Sequence, residues 1–298
     1  MAATASPLSG PLLVVVAAIA FAVSGPAARV AIDAGLHPAA VAADRCIVAA
    51  AVLALVAGRQ IVTTWRGLDR GDRGRLALSG AILGVHFALF IAGIASTSFA
   101  AAVMLVSLEP VAVLAVAAVG FGVVPTRAER AGVAAATLGA AVVASSGGAG
   151  GEHRLLGDLL VVGAVALYGV YYALNRSRHA SIPPLAAAGV VYAIAALVLV
   201  VGCGAAGLRL APAPGRALAA VVVLGLVPTL IGHTLVQLAA RRLPPSLVAL
   251  VSPGESVGSV LIGALSLGLF PSPREALGGA AVIAGATLVV LGARKARA

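Results

Sequence analysis

Ten stretches of the chain, each close to the length of a membrane span, contain almost nothing but apolar side chains. They are residues 11–31, 38–57, 76–95, 98–121, 128–146, 156–175, 183–203, 216–239, 246–268 and 275–293. A helix needs about 20 such residues to cross the hydrocarbon of a bilayer, because each residue advances it by about 1.5 Å. Only 10% of the residues are charged, against about a quarter in soluble domains, so a water-soluble fold could not hide this surface. The runs are continuous rather than alternating, which argues against a membrane β-barrel. The expected fold is therefore all-α: an integral membrane protein with ten transmembrane helices. Met1 to Pro11 shows neither a basic segment nor a cleavage pattern, so the first run is expected to stay as helix one.

The net charge of +10 would suggest nucleic acid in a soluble protein, but here the basic residues sit between apolar runs and bear on topology. With the N-terminus inside, 14 Arg and Lys residues face the cytoplasm and 5 face out, with Arg45 left inside helix two. Both termini are thus expected on the cytoplasmic side. The stretch from Gln60 to Arg75, with Trp65 at the interface, reads as the longest cytoplasmic connection. Cys46 and Cys203 are isolated within apolar runs and form neither a disulfide framework nor a metal site. No cofactor is expected.

An internal repeat organises the ten runs. Glu109 and Glu255 lie 146 residues apart, as do Glu129 and Glu275, Gly122 and Gly268, Pro125 and Pro271, Gly132 and Gly278, and Gly139 and Gly285. His86 and His233 are separated by 147. Two halves of five helices follow: residues 1–146 and 156–298, joined by a periplasmic linker at 147–155. Five is odd, so the halves must be inverted relative to each other, an arrangement common in transporters.

The polar residues within the runs sort by context. Thr126–Glu129 and Ser272–Glu275 have the spacing of capping boxes and read as helix starts at the membrane surface. Glu109 and Glu255 instead lie deep in apolar helices, where a carboxyl costs about 2.5–3.5 kcal/mol and usually faces a cavity. Pro110 and Pro253 adjoin them as helix breaks, freeing the carbonyls of Val106 and Ala249. Those two glutamates are candidates for binding a substrate amine or a proton. Arg45 and His86 are candidate carboxylate partners. His233, with Gln237 one turn later on the same face, and Tyr168 are further candidate cavity residues. A lone helical histidine or an aromatic stripe (Tyr168, Tyr171, Tyr172, Asn175) is more often packing. Gly80/Gly84 and Gly254/Gly258 have the spacing of close helix crossings. No HExxH, Walker loop or GxSxG is present.

Four short stretches carry a family resemblance. They are Ser107-Leu108-Glu109-Pro110-Val111, Arg45 in helix two, Gly157-Asp158-Leu159-Leu160, and Ala239-Ala240-Arg241-Arg242-Leu243-Pro244-Pro245-Ser246. In this order along ten helices they resemble the EamA-type transporters of the drug/metabolite transporter superfamily. The sequence departs from that pattern at Phe21, where the family often has Trp, at Val123 and Leu269, where Glu is usual, and at Ser256, where Pro is usual.

The resemblance implies export of small metabolites, amino acids and aromatic amino acids among them, across a bacterial inner membrane, by rocking of one half against the other. The implied partners are a small-molecule substrate and the lipid bilayer, not nucleic acid. Helices five and ten are expected at the periphery, where they could support a homodimer. An intramembrane enzyme acting on lipid-linked substrates and a passive channel are the alternatives.

Overall fold

A computed structural model describes residues 9–145, 154–176, 182–210, 215–240, 242, 243 and 245–295. Among these the chain is helical throughout, with no strand. In order, the helices are α1 (Gly10–Ala22), α2 (Ser24–Asp33), α3 (Pro38–Gly67), α4 (Arg70–Ser96), α5 (Phe99–Leu105), α6 (Glu109–Phe121), α7 (Arg127–Ser145), α8 (Arg154–Arg176), α9 (Pro184–Ala205), α10 (Arg216–Leu224), α11 (His233–Ala240), α12 (Pro245–Val248), α13 (Val251–Leu267) and α14 (Pro273–Lys295). A 3₁₀ turn at Val106–Leu108 joins α5 to α6, and a π-helical stretch at Gly225–Gly232 joins α10 to α11.

Each apolar run of the sequence lies on one or more of these helices. Among the described residues, eight helical segments are long and apolar enough to cross a membrane. Of the other two runs, one lies on α7, whose first turn carries Arg127, Glu129 and Arg130, and the other includes α13, which is 17 residues long. Most of the expected 147–155 linker lies outside the described residues, as do Arg178, Arg241 and Arg297 of the set expected to face the cytoplasm.

One expected connection is not a loop. The chain between Gln60 and Arg75 is almost wholly helical, and only Leu68 and Asp69 separate α3 from α4. The helix outruns its apolar segment because Arg73 closes its end. Its Nε donates to the Trp65 carbonyl at 2.9 Å and its Nη2 to that of Arg66 at 2.8 Å. Two of the terminal carbonyls that a helix leaves open are thereby satisfied by one guanidinium.

Small residues set the helix crossings, as expected where lipid is no poorer a solvent for apolar groups than the core. A Cβ on Gly80 would lie 2.7 Å from the Val191 carbonyl oxygen, and one on Gly258 would lie 2.5 Å from the Ala22 side chain. The tightest contact joins α7 and α14. Gly132 meets Gly285 and Gly139 meets Gly278, with each missing Cβ 2.6–2.8 Å from the facing carbonyl oxygen. The two α7 glycines thus meet the α14 glycines in reverse order, so these helices run antiparallel. The partner of each glycine is also the repeat counterpart of the other.

Both expected capping boxes close. Thr126 N donates to Glu129 Oε2 at 2.7 Å while Glu129 N donates to Thr126 Oγ1 at 3.2 Å. Ser272 and Glu275 repeat this at 2.8 and 3.3 Å. Gly122 and Gly268 end α6 and α13 in the left-handed region, φ 65° and 67°, where only glycine is at ease.

Candidate functional site

Three transmembrane prolines lie where hydroxyls can complete the backbone. Proline lacks an N–H, so the carbonyl four residues earlier loses its helical partner. Pro26 frees the Ala22 carbonyl, which accepts from Ser259 Oγ at 2.9 Å. Pro110 frees that of Val106, as the sequence indicates, and it accepts from Ser252 Oγ at 2.9 Å. Pro228 frees that of Leu224, which accepts from Thr229 Oγ1 at 2.7 Å. Pro253 lies in the first turn of α13, just after the break from α12. Ser107 Oγ also donates to Ser256 Oγ at 2.7 Å, both fully buried. Ser256 thus supplies a side-chain contact between α13 and the turn that joins α5 to α6.

The broken helices surround a cavity of about 160 Å³. Its walls include Phe21, Ser24, Arg45, His86, Glu109, Pro110, Tyr168, His233, Ser252 and Glu255. Seven of the nine residues singled out from the sequence (Arg45, His86, Glu109, Pro110, Tyr168, His233 and Glu255) therefore meet in one space. Pro253 is buried in α13 and is not among the residues that line that space. Gln237 is on α11, but its side chain lies outside the described residues.

Arg45 is enclosed at the end of the cavity nearer the start of α3. Its Nε donates to Thr229 Oγ1 at 3.0 Å, its Nη1 approaches Ser24 Oγ at 3.5 Å, and its Cζ stands 4.0 Å from the Phe87 ring centroid. Glu109 and Glu255 are half-buried along the same space, which Ser252 also lines. His86 Nδ1 lies 2.8 Å from the Ala164 carbonyl oxygen. A carbonyl can only accept, so this nitrogen carries the hydrogen and the imidazole is anchored to α8. The aromatic contacts are reciprocal across the repeat. His86 packs on Tyr168 at 5.5 Å between centroids, and His233 packs on Phe21 at 4.9 Å. Tyr168 stands 147 residues after Phe21, the spacing of the two histidines.

The tyrosine stripe of α8 divides. Tyr168 and Tyr172 line the main cavity, whereas Tyr171 and Asn175 line a smaller one of about 30 Å³ that His233 also borders. Thr229, Ser24, Phe87 and Tyr192 were not among the residues singled out from the sequence. Pro228 was the available signal for Thr229: a proline mid-run with a hydroxyl beside it.

The cavity is lopsided. It continues past Ala117, Val123, Glu129 and Val289 toward the face where α6 ends and α7 begins. At the opposite face a polar cluster ties several helix ends together. Thr97 Oγ1 donates to Asp158 Oδ1 at 2.7 Å. Glu275 accepts from Ser98 Oγ and pairs with Arg154 Nη2 at 2.9 Å. Arg154 Nη2 also donates to the Val143 carbonyl at 3.1 Å. Glu275 therefore does more than cap α14. No Cys, His and carboxylate cluster suited to a metal occurs among the described residues.

These features define a helical membrane protein built around an internal cavity with a guanidinium at one end and two carboxyls along its wall. The chain belongs to the EamA-like transporter family, which it matches over residues 8–145 and again over 155–291. It is 30% identical over 286 residues to a "Probable terminal-alkyne amino-acid exporter" of Streptantibioticus cattleyicolor, covering 92% of this chain and 91% of that one. A solved crystal structure shares the fold at a TM-score of 0.67 and 21% identity, covering 97% of this chain and 99% of that one.

Proposed function

We propose that this transporter is a carrier that exports small metabolites, amino acids in particular, across a bacterial inner membrane by alternating access. The observation that carries this reading is the single cavity that brings Arg45 together with Glu109 and Glu255. A zwitterion needs a cation for its carboxylate and an acidic group for its ammonium, and the apolar walls suit a hydrophobic side chain. The amino-acid exporter named above is similar along nearly the whole chain, which supports the same substrate class.

Ten spans in two inverted halves, 1–146 and 156–298, complete the reading. Supporting it are the crossed pairing of Gly132 with Gly285 and Gly139 with Gly278, the two matched capping boxes, and the reciprocal His–aromatic contacts. With both termini cytoplasmic, as the arginine bias favours, the cavity extends toward the cytoplasm and the Arg154–Glu275 cluster closes the outer face. The two halves rock about the breaks in the cavity-lining helices.

The test is counterflow in proteoliposomes loaded with single amino acids. Saturable uptake accelerated by internal substrate supports a carrier. Flux that rises linearly with concentration would indicate a channel instead, and turnover of a lipid-linked compound without flux would indicate an enzyme.

A further inference from the structure

Arg45 is the most enclosed charged residue among those described, at 1% exposure. Its immediate neighbours are two neutral hydroxyls and a ring face. No carboxylate among the described residues lies within 4.0 Å of it. A guanidinium carries five N–H donors, and Thr229 and Ser24 take two of them. The rest of the fork belongs to a side chain that lines the cavity. A buried cation without a contacting anion is costly, and the cost is offset when an anion arrives. Glu255 lines the same cavity but makes no ion pair with Arg45.

The orientation of this fork is set by Thr229. A hydroxyl has one hydrogen and two lone pairs. The hydrogen of Thr229 is committed to the Leu224 carbonyl that Pro228 leaves open, at 2.7 Å. Toward Arg45 the oxygen can therefore only accept, and it accepts from Nε. The same residue is held from its other side, since Tyr192 OH donates to the Thr229 carbonyl at 2.7 Å. Phe87 supports the guanidinium plane from beneath. The π-helical stretch, often found at functional sites, is what places both groups of Thr229 in this position.

We propose that Thr229 is a positioning residue, braced by Tyr192, which holds Arg45 so that its terminal nitrogens receive the carboxylate of the substrate. Bidentate carboxylate binding requires the fork in one plane and one direction, which a lysine or a loose arginine does not supply. The inference rests on the carrier reading above and adds that recognition of the acid group depends on a residue which does not itself touch it.

The experiment measures counterflow of L-phenylalanine and L-leucine by the purified full-length protein in liposomes, with phenethylamine and isoamylamine as competitors lacking the carboxylate. Thr229→Val should raise KM for both amino acids by about tenfold, the effect of one misplaced charge-assisted hydrogen bond. Inhibition by the two amines should stay within about twofold of wild type, roughly the smallest change these energies make visible. Thr229→Ser keeps the hydroxyl and should restore the wild-type KM. Ser24→Ala lies outside the π-helical stretch and should show the same split at smaller size, which guards against loss of fold in the valine variant. Equal changes for acids and amines, or an unchanged KM in Thr229→Val, would overturn the inference while leaving the carrier reading intact. If the wild-type protein moves neither amino acid, the amino-acid reading falls and this inference with it.

Discussion

Glu129 and Glu275 offer a matched pair of substitutions, because they occupy equivalent capping boxes 146 residues apart but Glu275 has two further partners, Arg154 and the Ser98 hydroxyl, of which a glutamine could still accept from Ser98. Glu275 pairs with Arg154 at 2.9 Å, with side-chain exposures of 3% and 11%. Glu129 is also buried, yet no cation among the described residues lies within 4.0 Å of it. Glutamine at this helix position can still close a capping box, so Glu→Gln leaves the cap and removes the charge. For Glu129 the loss is the favourable interaction with the helix N-terminus, about 0.3–1 kcal/mol. For Glu275 the substitution adds the breaking of an enclosed ion pair, about 3–5 kcal/mol. At about 2 °C per kcal/mol for a chain of this size, the midpoint should fall by roughly 7–12 °C in Glu275→Gln and by about 1–2 °C in Glu129→Gln. The assay is thermal unfolding in detergent followed with a thiol-reactive fluorophore, since Cys46 and Cys203 are buried at 0% and 2% exposure and react only once the helices part. Equal shifts in the two variants would refute the reasoning, because they would mean that the Arg154 pair contributes nothing beyond the cap.

Further outcomes follow from the cavity and the crossings. Glu109→Gln should impair counterflow or flatten its pH dependence with no change in unfolding temperature, whereas normal transport would return Glu109 to a packing role. Ser252→Ala leaves the Val106 carbonyl without its hydroxyl donor and should cost about 0.6–1.7 kcal/mol, the range of interhelical hydrogen bonds in membranes, read as a lower unfolding midpoint. Gly285→Ala should lower the midpoint sharply, because the new Cβ would lie 2.4 Å from the Ala136 nitrogen, while Gly202→Ala, with nothing within 4 Å, should leave it unchanged or slightly raised.

The apolar runs were legible because hydropathy and length are local properties, and the capping boxes were legible because their partners are three residues apart. The end of α3 was not, since Arg73 reaches back to carbonyls that composition alone assigns to a loop. Within the cavity the charged residues stood out by their cost in lipid, which is why Arg45, Glu109 and Glu255 could be singled out before any geometry. Their supports did not stand out, because serine and threonine cost little in a membrane helix and so carry no signal of their own.

A usable signal does emerge when the prolines are taken as the starting point. Each transmembrane proline names an open carbonyl four residues back, and something must donate to it where water is absent. For Pro228 the donor is the adjacent Thr229, so the pairing is visible in the chain itself. For Pro26 and Pro110 the donors are Ser259 and Ser252, seven residues apart on α13 and hence two turns apart on one face. No pattern near either proline points to them, because the match is made only when α13 packs across both breaks. That helix also carries Glu255 into the cavity and Ser256 against Ser107. If α13 tilts during transport, Ser252 and Ser259 must let go of their carbonyls or carry them along. The second course moves α13 together with the breaks next to Glu109 and Phe21, and it keeps the Val106 and Ala22 carbonyls satisfied throughout the motion.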